Sequence, residues 1–113
     1  MDEFEMPINL PKPIAAYFAA DATARGVVAD CFTADATVID ERKTYRGREA
    51  IREWKAASTA KYSYVAEPTA IRNEGGQSAI TARVTGNFPG SPVDLRYTFT
   101  LDGDAISRLE IVQ

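Results

Sequence analysis

The sequence predicts an α+β fold in which a strongly curved, mainly antiparallel sheet wraps around N-terminal helices. Apolar residues at helical spacing are confined to the part of the chain before residue 62, whereas period-two alternation, typical of strands, fills the remainder. The predicted helices are too few to cover a flat sheet of that length, so we expect the sheet to curve around them and leave a pocket. The 113 residues predict a single domain, 1–113, with residues 1–10 as a loosely held arm.

Two helical segments are predicted near the N-terminus. The first is expected to begin near Pro11 or Pro13, because proline suits the first turn of a helix. Its helical spacing places four residues on one face: Ile14, Tyr17, Phe18 and Asp21. After an interruption at 25–26, a second short helix is predicted with Cys31 on its buried face. Both helices are too short to be stable alone and must pack against another element.

A strand, a charged turn and a longer helix follow. Residues 36–40 alternate so that Val38 and Asp40 share one face of a strand. The helix opens after a glycine, and its buried stripe carries Ile51 and Trp54, which are three residues apart. Asp40 is therefore an acidic residue that could point into an apolar cavity beside the helix that carries the single tryptophan.

Beyond residue 61 the sequence predicts an antiparallel meander. Pro68 indicates a bend or an edge strand, and residues 75–76 form a diglycine hairpin turn. Further turns are predicted at 89–92 and 102–104. Gly86, which the alternation places within a strand, is a candidate point of strong bending. The inward positions are Ile80, Ala82, Val84, Gly86, Phe88, Val93, Leu95, Tyr97, Phe99 and Leu101.

Composition excludes several classes of site. The chain has no histidine and one cysteine, so it cannot form a His-dependent catalytic triad, an internal disulfide or a zinc site of His and Cys. A net charge of −3 without a basic patch argues against nucleic-acid binding. No apolar run predicts a membrane span and the acidic N-terminus is unlike an export signal, so we expect a cytoplasmic protein. No Gly-rich phosphate loop or ligand cluster indicates a metal or another cofactor.

Three segments, CFTADATVID, YRGREAIREW and VTGNFPGSPVDLRYTFTLDGDAISRL, resemble in this order the SnoaL-like branch of the nuclear transport factor 2-like superfamily. The resemblance covers roughly residues 12–112 and implies a cone of curved sheet, usually in a homodimer. That superfamily holds isomerases, cyclases, dehydratases, epoxide hydrolases and non-catalytic binding proteins. Three functions therefore stay open: a cofactor-independent isomerase, dehydratase or cyclase; a non-catalytic protein that binds a small hydrophobic molecule; and a dimeric interaction module.

The resemblance implies catalytic roles for Asp40 and Tyr17. In the ketosteroid isomerases of the superfamily, an aspartate at the end of a similar strand is the general base and a tyrosine of the first helix helps to form the oxyanion hole. The place of the third member, a protonated aspartate, falls on Tyr97, which weakens the assignment to steroids. The alternative interpretations are that Asp40 pairs with Arg42, Arg46 or a backbone amide, and that Tyr17 packs in the core.

Aromatic residues at inward positions are candidates for the wall of a substrate pocket. They are Trp54, Tyr62, Tyr64, Phe88, Tyr97 and Phe99. The alternative is that they fill an ordinary core, and both interpretations can hold in part.

The outer face of the predicted sheet carries Arg83, Arg96 and Thr98 by alternation. The resemblance to a dimeric family makes this face a candidate homodimer interface, and threonines with paired charges suit a packed polar sheet surface. The alternative is a solvated sheet face. Outward arginines also argue against the Asp-Arg-Asp set that epoxide hydrolases of the superfamily place inside the cone.

Overall fold

A computed structural model of the chain describes residues 9–22 and 27–113. Most of the predicted N-terminal arm and the predicted interruption at 25–26 lie outside these ranges. At the start of the first described range, Leu10 packs against the hydrophobic core.

The described helices match the predicted ones in place. The elements are α1 (Lys12–Asp21), a 3-10 helix (Val28–Cys31), β1 (Phe32–Asp40), β2 (Lys43–Arg46), α2 (Arg48–Lys61), β3 (Tyr64–Glu74), β4 (Gln77–Gly86), β5 (Val93–Asp102) and β6 (Ala105–Val112). The predicted second short helix is a single 3-10 turn, because the backbone becomes extended at Phe32.

The strands form one sheet in the order β2-β1-β6-β5-β4-β3. Its neighbours are antiparallel except for β1 and β6, which run parallel. The predicted α+β fold with a mainly antiparallel sheet around N-terminal helices is confirmed. Strand β1 begins four residues earlier than predicted, because Phe32 already pairs with Ile106 of β6 before a register shift leads to the regular pairing from Thr37.

Proline and glycine set several element boundaries. Pro11 precedes α1 and a second proline follows in its first turn, where a missing N–H costs no hydrogen bond. Gly47, with φ 88°, lies at the N-terminal end of α2. Pro68 lies on the edge strand β3 beside a register shift, which confirms that prediction.

Gly86 ends β4 rather than lying inside the strand, and its role is close approach. A Cβ atom built there would lie 2.3 Å from the backbone oxygen of Ser63 and 2.8 Å from the Cβ of Tyr64. Only glycine lets β4 lie this close to the chain that leaves α2. The short contact holds the end of α2 and the beginning of β3 against the sheet.

The core lies between α1 and the concave face of the sheet. Tyr17 and Phe18 of α1 pack edge-to-face on Phe99 of β5, with ring centroids 5.5 and 5.9 Å apart, a geometry that aromatic pairs prefer. On the opposite face of the sheet, Arg83 and Arg96 are exposed, as the alternation predicted. The core thus fixes one face of α1. It does not fill the whole concave surface of the sheet, and a cavity lies in the remaining part.

Candidate functional site

A partly open cavity of about 590 Å³ lies between α2 and the concave face of the sheet. This volume is within the range of small-molecule sites, roughly 300–1,000 Å³. Seven aromatic side chains line it: Tyr17, Tyr45, Trp54, Tyr62, Tyr64, Phe88 and Tyr97. The only carboxylates among the lining residues are those of Asp40 and Glu41, and its two ammonium groups belong to Lys55 and Lys61.

Asp40 lies at the end of β1, where its carboxylate reaches the cavity. Its Oδ2 accepts a hydrogen bond of 2.9 Å from Trp54 Nε1. Burial raises the pKa of Asp40 above its ordinary value, although the Trp54 hydrogen bond acts in the opposite direction. Among the described residues no ion pair joins Asp40 to Arg42 or Arg46, both of which are exposed. Asp40 is therefore a desolvated carboxylate that forms no ion pair with a described residue.

Tyr17 also lines the cavity, from the middle of α1. Its side chain is fully buried, and its hydroxyl has no hydrogen-bond partner within the described ranges. A buried hydroxyl without a partner is costly, so such groups call for an explanation. Burial raises the pKa of Tyr17 well above its ordinary value. The phenol accordingly stays protonated and can donate a hydrogen bond to a molecule in the cavity.

A buried ion pair lies beside these two residues. Lys55 Nζ is 2.8 Å from Asp21 Oδ1, and the two side chains are 13% and 3% exposed. The same ammonium donates to the hydroxyl of Tyr64 at 2.8 Å, and that hydroxyl donates to Asp21 Oδ1 at 3.2 Å. The three groups form a closed triangle that joins α1, α2 and β3. Because each member holds the other two, the ammonium has a fixed position.

Trp54 connects this triangle to Asp40. Lys55 Nζ lies over the indole ring at 4.4 Å from its centroid, a favourable cation–π distance, while the indole N–H donates to Asp40. The positive charge of Lys55 also acts on Asp40, where it lowers the pKa against the larger effect of burial. One indole therefore carries a carboxylate at its edge and an ammonium on its face.

The structure brings together most of the predicted pocket residues. Tyr62 and Phe88 line the cavity as a half-buried pair, with ring centroids 6.0 Å apart. Tyr97 lines it too, and burial raises the pKa of its phenol. Phe99 is fully buried and is not among the lining residues; it stacks behind Tyr97 with an interplanar angle of 10°. Phe99 thus supports the wall from the core.

Sequence reasoning missed the roles of Asp21 and Lys55, and it did not place Tyr45 in the cavity wall. Asp21 was placed on the apolar stripe of the first helix, and an acid on a buried stripe indicates a need for a cationic partner. That signal was present in the sequence, but the identity of the partner was not. Lys55 follows Trp54 directly in α2, and only its contacts with Asp21 of α1 and Tyr64 of β3 show that it turns inward.

The described ranges contain neither a candidate metal site nor a candidate membrane-spanning helix. No group of three or more His, Cys, Asp or Glu side chains in them could hold a metal ion. None of their helices has the length and apolar character needed to cross a membrane.

The chain is similar to a solved structure at substantial sequence identity. A Sinorhizobium meliloti protein, provisionally described as a polyketide cyclase, is 40% identical and superposes with a TM-score of 0.86, over 91% of this chain and 95% of the other. No curated protein matches the chain at a significant level.

Two further solved structures share the fold at lower identity. A Catenulispora acidiphila protein with a ketosteroid isomerase-like fold, in complex with trimethylamine, is 24% identical, with a TM-score of 0.81 over 93% of this chain and 87% of the other. A protein from Agrobacterium tumefaciens, provisionally described as a SnoaL-like isomerase, is 14% identical, with a TM-score of 0.71 over 88% and 92%. The SnoaL-like domain family matches residues 11–108, which is most of the chain. The chain therefore belongs to the SnoaL-like domain family.

Proposed function

We propose that this protein binds a small organic molecule in its cavity and moves a proton on it, as a cofactor-independent isomerase, dehydratase or cyclase with Asp40 as the general base. One observation carries the proposal. Asp40, a desolvated carboxylate whose pKa is raised, and Tyr17, a buried phenol with no hydrogen-bond partner in the described part of the chain, line the same cavity. A general base is most effective when its pKa approaches the working pH, and burial moves Asp40 in that direction.

The simplest reaction consistent with this pair is a shift of a double bond beside a ketone. Asp40 removes a proton from the carbon between the carbonyl and the double bond, and the electron pair moves onto the carbonyl oxygen to give a dienolate. Tyr17 donates a hydrogen bond to that oxygen. Asp40 then returns the proton to the far carbon, which restores the carbonyl and completes an isomerisation with no external reactant. Dehydration and cyclisation begin with the same proton removal.

The aromatic wall supports a substrate with an apolar, unsaturated body. Tyr62, Phe88 and Tyr97 present ring surfaces to the cavity, and such surfaces bind flat carbon skeletons without fixing their polarity. The 40% identical relative, provisionally described as a polyketide cyclase, agrees with small unsaturated ketones as the class of substrate.

The test uses 3-cyclohexen-1-one, whose conversion to the conjugated enone is followed by ultraviolet absorbance. We expect wild type to accelerate this conversion and Asp40→Asn to lose at least a hundredfold of that rate, since general base catalysis contributes about 10²–10⁴-fold. Asp94→Asn, an exposed carboxylate paired with Arg83 on the outer face, is the matched control. Equal rates for Asp40→Asn and wild type would refute the role of Asp40.

A non-catalytic binding protein is the second candidate. The observation that favours it is the hydrogen bond from Trp54 to Asp40, which already occupies one carboxylate oxygen. In that case small ketones, enones or phenols should raise the melting temperature of wild type and Asp40→Asn equally, without turnover of any of them. Turnover by wild type alone would exclude this candidate.

We also propose that the protein is a homodimer through the outer sheet face that carries Arg83, Arg96 and Thr98. Support comes from the family resemblance and from the position of this face, opposite the cavity. Sedimentation velocity of wild type and of Arg96→Glu tests it. A monomeric wild type at micromolar concentration would overturn the proposal, and a dimer that dissociates on Arg96→Glu would support it.

A further inference from the structure

Within residues 9–22 and 27–113, one N–H group of Lys55 has no conventional acceptor. An ammonium carries three donors, and two of them meet Asp21 Oδ1 and the Tyr64 hydroxyl at 2.8 Å each. The nearest remaining partner is the indole face of Trp54, which is a weak acceptor in comparison with an anionic oxygen. The third donor is therefore available to a ligand that enters the cavity.

The orientation of the ion pair favours this role. Lys55 lines the cavity, whereas Asp21 is not among the lining residues and is 3% exposed. The carboxylate thus lies behind the ammonium, on the side away from the ligand. An ion pair that served only to join α1 and α2 would not require the ammonium to face the cavity and the carboxylate to lie behind it.

Tyr17 provides an independent indication that an acceptor belongs here. Its hydroxyl is fully buried and has no partner among the residues that the structure describes, and its ring lies 5.7 Å from Lys55 Nζ. An oxygen atom of a ligand placed between these two groups would satisfy both donors at once. At the edge of the same indole, Asp40 accepts the ring N–H hydrogen bond through Oδ2, and its other carboxylate oxygen can take a proton from the ligand.

We propose that Lys55, anchored by Asp21 and Tyr64, is the cationic half of an oxyanion-binding site that it forms with the Tyr17 hydroxyl, and that the cavity selects small unsaturated or aromatic ketones through their enolate form. This inference rests on the proposed function, in which the enolate arises at Asp40. Lys55 contacts the substrate oxygen, whereas Asp21 is a positioning residue. The ammonium supplies a full positive charge, so its hydrogen bond to an anionic oxygen is stronger than the hydrogen bond that a neutral phenol donates.

The probe is 4-nitrophenol, a flat phenol that ionises near neutral pH and whose ionised form absorbs visible light. Its ionised form is an aromatic oxyanion, and it has no C–H beside a ketone that could be removed in an isomerisation, so it tests oxyanion binding apart from turnover. The titrations use Asp40→Asn, because a neutral side chain there imitates the base after it has accepted its proton. We expect Asp40→Asn to bind the phenolate at least tenfold more tightly than wild type does.

In the Asp40→Asn background, Lys55→Met should weaken phenolate binding by at least tenfold and shift the bound probe toward its neutral, colourless form. A purely structural lysine would leave the ionisation of the bound probe unchanged. Because Lys55→Met strands the buried carboxylate of Asp21, the double replacement Asp21→Asn with Lys55→Met keeps the charges balanced and is measured alongside. Arg52→Met removes a cation from the exposed side of α2 and controls for net charge.

The outcomes separate this inference from the proposed function. Phenolate binding that depends on Lys55 supports the oxyanion site, even if 3-cyclohexen-1-one is not turned over. Equal binding and equal probe colour with and without Lys55, in folded variants, overturn the site and leave Asp40 as the base unaffected. Isomerisation of 3-cyclohexen-1-one that persists in the charge-balanced double variant at the wild-type rate overturns the site as well.

Discussion

Replacing one member of the buried Asp21–Lys55 pair should cost far more stability than replacing both. The two charges are 2.8 Å apart with 3% and 13% side-chain exposure. At an effective dielectric constant of about 20, their gross attraction is on the order of 6 kcal/mol, and desolvation offsets a large part of it. Removal of one partner leaves a buried charge alone, which costs about 3–5 kcal/mol.

This loss is large for a chain of 113 residues, whose free energy of unfolding is on the order of 6–17 kcal/mol from typical values per residue. We therefore expect Lys55→Met and Asp21→Asn each to lower the free energy of unfolding by several kcal/mol. The double variant leaves no uncompensated charge, and Tyr64 retains an amide oxygen to donate to. We expect it to lose less than about 2 kcal/mol, because neutral replacements of buried pairs are often nearly isoenergetic.

Urea unfolding is followed by the fluorescence of Trp54 and by circular dichroism. It gives the free energies of unfolding of wild type, the two single variants and the double variant, provided that the dependence of free energy on urea concentration has the same slope in all four. The control cycle uses Glu49→Gln and Arg52→Met, a pair 3.3 Å apart with 80% and 50% exposure. Its coupling should stay below about 1 kcal/mol. If the losses at the buried pair were additive within about 0.5 kcal/mol, the two charges would not interact, and the fixed ammonium on which the oxyanion site depends would be refuted.

Three further variants test the burial of Asp40, its hydrogen bond from Trp54 and the close backbone contact at Gly86. Because burial raises the pKa of Asp40, the folded protein binds the proton of this carboxyl group more tightly than the unfolded chain does. The contribution of Asp40 to the free energy of unfolding therefore falls as pH rises from the ordinary pKa of 3.8 through the raised pKa. Asp40→Asn should therefore melt higher than wild type at neutral pH but not in acid; a lower melting temperature at neutral pH would contradict this. Trp54→Phe removes the hydrogen bond that opposes the rise, so the pKa of Asp40, measured by NMR titration, should increase. Gly86→Ala places a Cβ 2.3 Å from a backbone oxygen and should cost about 1–3 kcal/mol in urea unfolding; an unchanged midpoint would show that β4 can move away.

The fold could be predicted from the sequence because its signals are local. Alternation located the strands after residue 61, and glycine or proline located their turns, since each depends on the conformation of a few neighbouring residues. The start of β1 was missed for the opposite reason. Phe32 is extended because it pairs with Ile106, a partner near the other end of the chain that no local pattern reveals.

The same limit applies to the candidate site. Asp40 and Tyr17 were found through family resemblance, and the alternation and helical spacing placed them on inward faces. Lys55 was missed because an exposed and a buried lysine have the same local sequence signature; long side chains can follow a helix surface in either direction. Phe99 was assigned to the pocket because alternation gives the face of a strand but not the depth at which a side chain lies.

The sequence of α2 explains how a chain without histidine can hold a carboxylate and an ammonium in one cavity. Trp54 and Lys55 are consecutive, so their side chains leave the helix about 100° apart, and only a lysine that folds back over the indole can reach the cavity. Asp21 and Tyr64 supply the acceptors that make this fold-back favourable. The indole N–H donates to Asp40 while Lys55 Nζ lies over the ring, and the ion pairs of the described residues do not include one between Asp40 and Lys55. A direct ion pair would hold the carboxylate ionised and weaken it as a base. Trp54 is therefore as important to the proposed chemistry as the two charges, although it transfers no proton.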